Sequence, residues 1–172
     1  MTRYDGLKQK KEFITSLLSE VLSQATDGQY SKEEAQTTIT RELAEFAFII
    51  SAVDGVIDPN EAYTISEVFD LAVAPSDIGK YIESNNMLNV EFLKTVPTCV
   101  KNSVVIDNAL AEQPKLPLLS VGICEVFAEI AGAVAAADNS IDQMEDASVK
   151  LFLVSINDYL NANLSDEAKK KA

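Results

Sequence analysis

The sequence predicts an all-α fold: a helical bundle of about seven helices with an internal pseudo-repeat, in a single domain spanning residues 1–172. Three observations carry that reading. Apolar residues recur at helical spacing nearly throughout the chain. No segment sustains a period-two alternation between turn residues, and the β-branched cluster Val104-Val105-Ile106 is short and flanked by helix-compatible sequence. One eight-residue corner pattern occurs twice, each time after one long apolar stripe and before another.

The elements follow in order. Ile14, Leu17, Leu18, Val21, Leu22 and Ala25 form one stripe and predict a helix over 7–25, which Asp27-Gly28 interrupts. Ile39, Leu43, Phe46, Ile50 and Val53 step by four and three residues and predict a helix over 32–53. Asp54-Gly55 ends it, and Pro59 suits the first position of a helix over 59–73. Pro75, Pro97, Pro114 and Pro117 cut the middle third into shorter pieces, 76–84 and 90–112, the latter broken near Pro97. Cys124, Phe127, Ala128, Ala131, Val134 and Ala135 predict a helix over 117–137. Val149, Phe152, Leu153, Ile156 and Leu160 predict the last, over 143–163, with 166–172 as a frayed tail. Helices 32–53 and 117–137 have the most apolar faces and are expected to form the central pair.

Composition narrows the function. At 172 residues and 47% hydrophobic content, the chain can bury a core without staples. Its net charge of −13 is the wrong sign for tracking a phosphate backbone, so no direct nucleic-acid partner is expected. The absence of histidine removes Ser-His-Asp triads, Cys-His pairs, and His-ligated zinc or haem. Cys99 and Cys124 form no C-x-x-C pattern and read as core residues in a reducing compartment. No P-loop, G-x-G-x-x-G or G-x-S-x-G is present, and no enzymatic activity is expected. The N-terminal segment, with Lys8, Lys10 and Lys11, lacks the apolar run of a signal peptide, which favours a cytoplasmic location. The apolar stretch from Leu116 to Ala137 has the length of a membrane span, but Glu125 and Glu129 share one helical face within it. Paired acids at mid-span are costly in lipid, so this stretch reads as a buried core helix.

The repeat is the most informative feature. Asp54-Gly55-Val56-Ile57-Asp58-Pro59-Asn60-Glu61 aligns with Asp138-Asn139-Ser140-Ile141-Asp142-Gln143-Met144-Glu145. A looser copy runs from Asp27 through Tyr30 and Ser31 to Glu34. Capping chemistry accounts for much of the pattern. Gly or Asn supplies a left-handed helix stop, Asp58, Asp142 and Ser31 serve as N-caps, and Glu61, Glu145 and Glu34 complete capping boxes. Asp54 and Asp138 are left over, at a helix end whose dipole disfavours negative charge. Either they hydrogen-bond loop N–H groups, or each joins the second Asp and the Glu around a hard cation such as Ca²⁺ or Mg²⁺. An EF-hand does not fit, because its first two ligand positions would be Ile50 and Ala52, and Val134 and Ala136 in the second copy.

The segment from Ala47 to Glu61, and again that from Ala131 to Glu145, resembles the signature of the TerB-like (tellurite-resistance) domain family. That signature is a helix rich in small residues, then A-x-D-G-x-[IV]-x-x-x-E and a second helix. The resemblance covers residues about 35 to 162, with halves of about 32–75 and 117–163. Asn139 replaces the usual Gly, and residues 74–116 match no part of the signature. The resemblance implies a duplicated all-α bundle with acidic, metal-binding corners at Asp54, Asp58 and Glu61, and at Asp138, Asp142 and Glu145. It also implies a bacterial stress-response setting and a protein partner, membrane-associated in type. The Ala131–Ala137 run allows close helix approach within the fold or across a homodimer.

Overall fold

The structure, a computed structural model, describes residues 3–26, 30–88, 90–113, 116–137 and 143–171. Among the described residues it is all-helical. Seven helices of eleven residues or more are α1 (Asp5–Ala25), α2 (Lys32–Ile50), α3 (Pro59–Phe69), α4 (Pro75–Asn85), α6 (Thr98–Ala109), α7 (Leu119–Ala135) and α8 (Gln143–Asn163). Two short ones, α5 (Val90–Lys94) and α9 (Asp166–Lys169), complete the set. The break near Pro97 separates α5 from α6. Val104-Val105-Ile106 lies inside α6.

Helices α2 and α7 are central, as their stripes predict. They pack on each other, and each also packs on α1, α3, α6 and α8. Leu43, Ile50, Ile123, Val126 and Phe127 are fully buried along this seam. Phe46 of α2 meets Phe127 of α7 edge-on at 5.3 Å between ring centroids and stacks on Phe152 of α8 at 4.0 Å. Three stripes of the sequence therefore close on one aromatic cluster, an arrangement that adds to simple area burial. Glu125 and Glu129, the acids inside the most apolar stretch, both reach Lys10 of α1, at 2.9 and 2.5 Å. Among the described residues, no helix is long and apolar enough to cross a membrane.

Differences from the sequence reading lie at helix ends. α3 stops at Phe69 rather than continuing to 73, because Asp70 adopts a left-handed φ of 54° and its N–H, with that of Leu71, turns back to Ser66. Asn86 ends α4 in the same way at φ 50°. Asp and Asn tolerate this conformation better than other side-chain-bearing residues. The C-terminal tail is not frayed. Ala168 is fully buried against Val104, Leu118 and Leu164, and Lys171 donates to the carbonyls of Leu110 and Gln113 at 3.0 and 2.7 Å.

Two of the helices that begin at residues unable to cap them are completed by their neighbours. α6 starts after Pro97 and α7 after Leu118, neither with a side-chain acceptor. Neighbouring helices supply one. Glu42 of α2 accepts from the N–H groups of Thr98 and Cys99, and Asp107 of α6 accepts from those of Leu119 and Ser120, both at 2.9 Å. At the other polarity, Lys11 of α1 donates to the carbonyl of Val68 near the end of α3. Asp107 is 4% exposed, and so are its duties buried. Asp107→Ala strands two buried donors and is expected to cost about 2–4 kcal/mol in denaturant unfolding, whereas Asp107→Asn, which keeps one acceptor, costs less. A loss under about 1 kcal/mol for the alanine variant would show that water reaches these N–H groups.

Candidate functional site

The first corner assembles from local rules. α2 runs out at Ile50, and turns continue through 54 to Gly55, whose N–H reaches the carbonyl of Ala52 at 3.1 Å. Gly55 has φ +89°, in the region that a β-carbon disfavours. Asp54 Oδ1 accepts from the Val56 N–H at 2.8 Å. A loop N–H is thus one partner of the acid that capping alone left without a duty. Ile57 folds back and packs partly buried against the core. Asp58 is the N-cap of α3, its Oδ1 accepting from Asn60 N–H at 2.7 Å. Glu61 Oε2 accepts from the Asp58 N–H at 2.8 Å and closes the capping box, with Pro59 at the first helical position. Ser31 and Glu34 form the same box at α2.

Of the second corner, Asp138 through Asp142 lie outside the described residues, and so do Asp27 to Gln29 of the looser copy. Glu145, in the first turn of α8, is described and is 6% exposed. Glu61 is 4% exposed. The Glu145 carboxyl lies close enough to Glu61 to act on its ionisation. Among the described residues the backbones of α3 and α8 do not pack together; each lies against α2 and α7. The bridge between them is made by the two side chains that occupy the last position of each motif copy.

Two carboxylates cannot both stay ionised in such a place without a counter-charge. Burial pushes the Glu61 carboxyl up to about 8. The hydrogen bond and charge of Glu145, and the charge of Asp54, push the same way, against the Asp58 N–H, which favours the ionised form. At neutral pH Glu61 therefore holds its proton.

The site is a pair rather than a cage. Among the described residues, no three Asp, Glu or Cys side chains converge closely enough to hold a metal ion. Asp54, Asp58 and Glu61 surround one corner, and of these three Glu61 is the one set beside Glu145. The sequence reading treated each corner separately and missed this juxtaposition; the shared alignment of the two final glutamates was its only signal.

The cysteines take no part. Cys99 lies in the core at 2% exposure and Cys124 packs partly buried against it; both thiols are free. Burial, with the Glu42 carboxylate, raises the Cys99 thiol well above its usual range, and burial with Asp107 and Glu125 pushes Cys124 up to about 12. Thiols so held are poor nucleophiles at neutral pH.

Glu61 makes stability depend on pH with a definite sign. Its folded value, about 8, lies above its ordinary 4.5. The contribution is fully present below 4.5 and is lost as pH rises toward and through about 8. The melting temperature should fall across that window, and Glu61→Gln, a permanent mimic of the protonated acid, should flatten the fall and melt higher than wild type above pH 8. Identical pH profiles for the two proteins would mean that Glu61 titrates as an ordinary surface acid. Gly55→Val should cost more than the roughly 1 kcal/mol of a lost cap in Asp58→Ala, measured by the same unfolding.

No family model matches the chain, and neither does any curated protein or solved structure. Nothing in these comparisons bears on the TerB-like resemblance, which rests on the residues of the two corner motifs.

Proposed function

We propose that this chain is a non-enzymatic, TerB-like helical interaction domain whose two acidic corners are joined through the Glu61–Glu145 pair and respond to divalent cations. The observation that supports this reading is the meeting of two buried carboxyl groups, one from each motif copy, that require neutralisation. With its carboxyl raised to about 8, Glu61 can meet this with a proton at neutral pH. A hard cation can supply it instead, and two carboxylates completed by water suit Mg²⁺ in particular, with Ca²⁺ needing more ligands. Asp54 adds negative charge beside Glu61, and Asp138 and Asp142 follow the same pattern in the second copy. The resemblance to the TerB-like family suggests the setting: a cytoplasmic, bacterial stress-response assembly of the tellurite-resistance type, with a protein partner near a membrane. The absence of histidine and the inertness of both thiols support a binding rather than a catalytic role.

A second reading has its own support. Asp54, Asp58 and Glu61 each accept a backbone N–H. These acids thus have structural work without any ion, as in a plain helical adaptor.

The two readings separate in one titration. On the first, Mg²⁺ or Ca²⁺ raises the melting temperature in physiological salt, saturates, and expels about one proton per ion near pH 7, read by calorimetry in buffers of different ionisation enthalpy. Glu61→Gln and Asp54→Asn weaken the response. Diffuse, non-saturating effects that survive both substitutions would reduce the corners to helix caps.

A further inference from the structure

A hollow of about 150 Å³ lies between α2, α5, α6 and α8. Phe46 of α2 and Phe152 of α8, which stack on each other, supply part of its apolar lining, and Phe92, Leu93 and Val96 supply the rest. Packed interiors leave few voids larger than a water molecule. A cavity of this size with apolar and aromatic walls has room for one benzene-sized ring. Among the described helices, α5 packs on α8 alone, and it faces α2 and α6 across the hollow.

Polarity narrows the ligand. Three charged residues line the hollow, Glu42, Glu45 and Lys101, so net charge selects little. Glu42 is committed to the N–H groups of Thr98 and Cys99, and Lys101 is exposed. Glu45 is different. Its side chain is 22% exposed, and both its contacts fall on Oε1: the Tyr81 hydroxyl donates at 2.6 Å and Arg41 Nε lies at 3.9 Å. Tyr81 and Arg41 line the neighbouring groove, whereas Glu45 lines both that groove and the hollow. Among the described residues Oε2 has no partner. A carboxylate oxygen largely withdrawn from water favours an O–H or N–H donor.

We propose that the hollow is a binding site for a small molecule of phenol size, with one aromatic ring among Phe46, Phe92 and Phe152 and one hydroxyl or amine donor on Glu45. The site goes beyond the interaction-domain reading and uses none of the acids of the corners. A ligand held there touches α5 and α2 at once and fastens α5 to the bundle.

The test uses the full chain with phenol and toluene, probes that match in size and differ in the donor. Phenol should bind saturably, at about the millimolar Kd expected of so few atoms. It should shift the methyl resonances of Leu93 and Val96 and raise the hydrogen-exchange protection of α5. Toluene, which leaves Oε2 without a donor, should bind about tenfold more weakly. Glu45→Leu removes the acceptor and should erase the preference for phenol. Phe92→Ala, at an exposed position where folding is not at stake, should weaken both probes about fivefold. Toluene binding as tightly as phenol to the wild-type chain would overturn the proposal. So would a phenol preference that survives Glu45→Leu, shifts centred on the Arg41 groove, or no saturable binding.

Discussion

A bundle made only of helices must find partners for the polar ends of every helix it buries, and in this chain carboxylates meet most of that demand at the N-termini. Glu34 and Glu61 close boxes on their own helices. Asp77 takes the N–H of Ala74 at the start of α4. Glu42 and Asp107 cap α6 and α7, which follow Pro97 and Leu118. Part of the net charge of −13 is thus structural. Acids placed at helix starts sit in the favourable end of the dipole, where their negative charge stabilises rather than repels.

The Glu61–Glu145 junction is where this economy reaches a conflict. Each glutamate belongs to the first turn of its own helix, a position at which a carboxylate is normally welcome. Convergence of α3 and α8 on the α2–α7 core brings the two acids together away from water. What stabilises each helix separately becomes a repulsion between them, relieved only by a proton or a cation. A group held in this way is sensitive to its surroundings, because the proton that neutralises it can be withdrawn near physiological pH. The capping and the sensitivity come from the same two side chains.

Much of the fold was legible because its signals are local. The second and third stripes located α2 and α7 and correctly put them at the centre, and the corner pattern gave Asp58 as an N-cap and Gly55 as a left-handed residue. What escaped detection depends on distance in sequence. Nothing near Leu118 indicates that Asp107, eleven residues upstream, will cap α7, and nothing near Pro97 points to Glu42. Asp70 and Asn86 stop helices without glycine, so α3 was read too long. The tail was read as loose because Ala168 and Lys171 have no periodic stripe, although each finds a partner on α6 or its following turn. The candidate site follows the same division. Each corner could be read from its own eight residues, whereas the meeting of their last residues is a property of the packed helices.

The most direct measurement is a ¹³C NMR titration of the glutamate side-chain carboxyl carbons from pH 3 to pH 10. Coupled carboxyls titrate in steps that belong to the pair. The raised Glu61 carboxyl predicts a step near 8, far above every ordinary glutamate, that disappears in Glu61→Gln, moves down in Glu145→Gln and moves down when Mg²⁺ is added. If every glutamate carbon instead completes its titration by about pH 6, in the normal carboxylate range, Glu61 is not held protonated beside Glu145, and the two corners are independent helix caps.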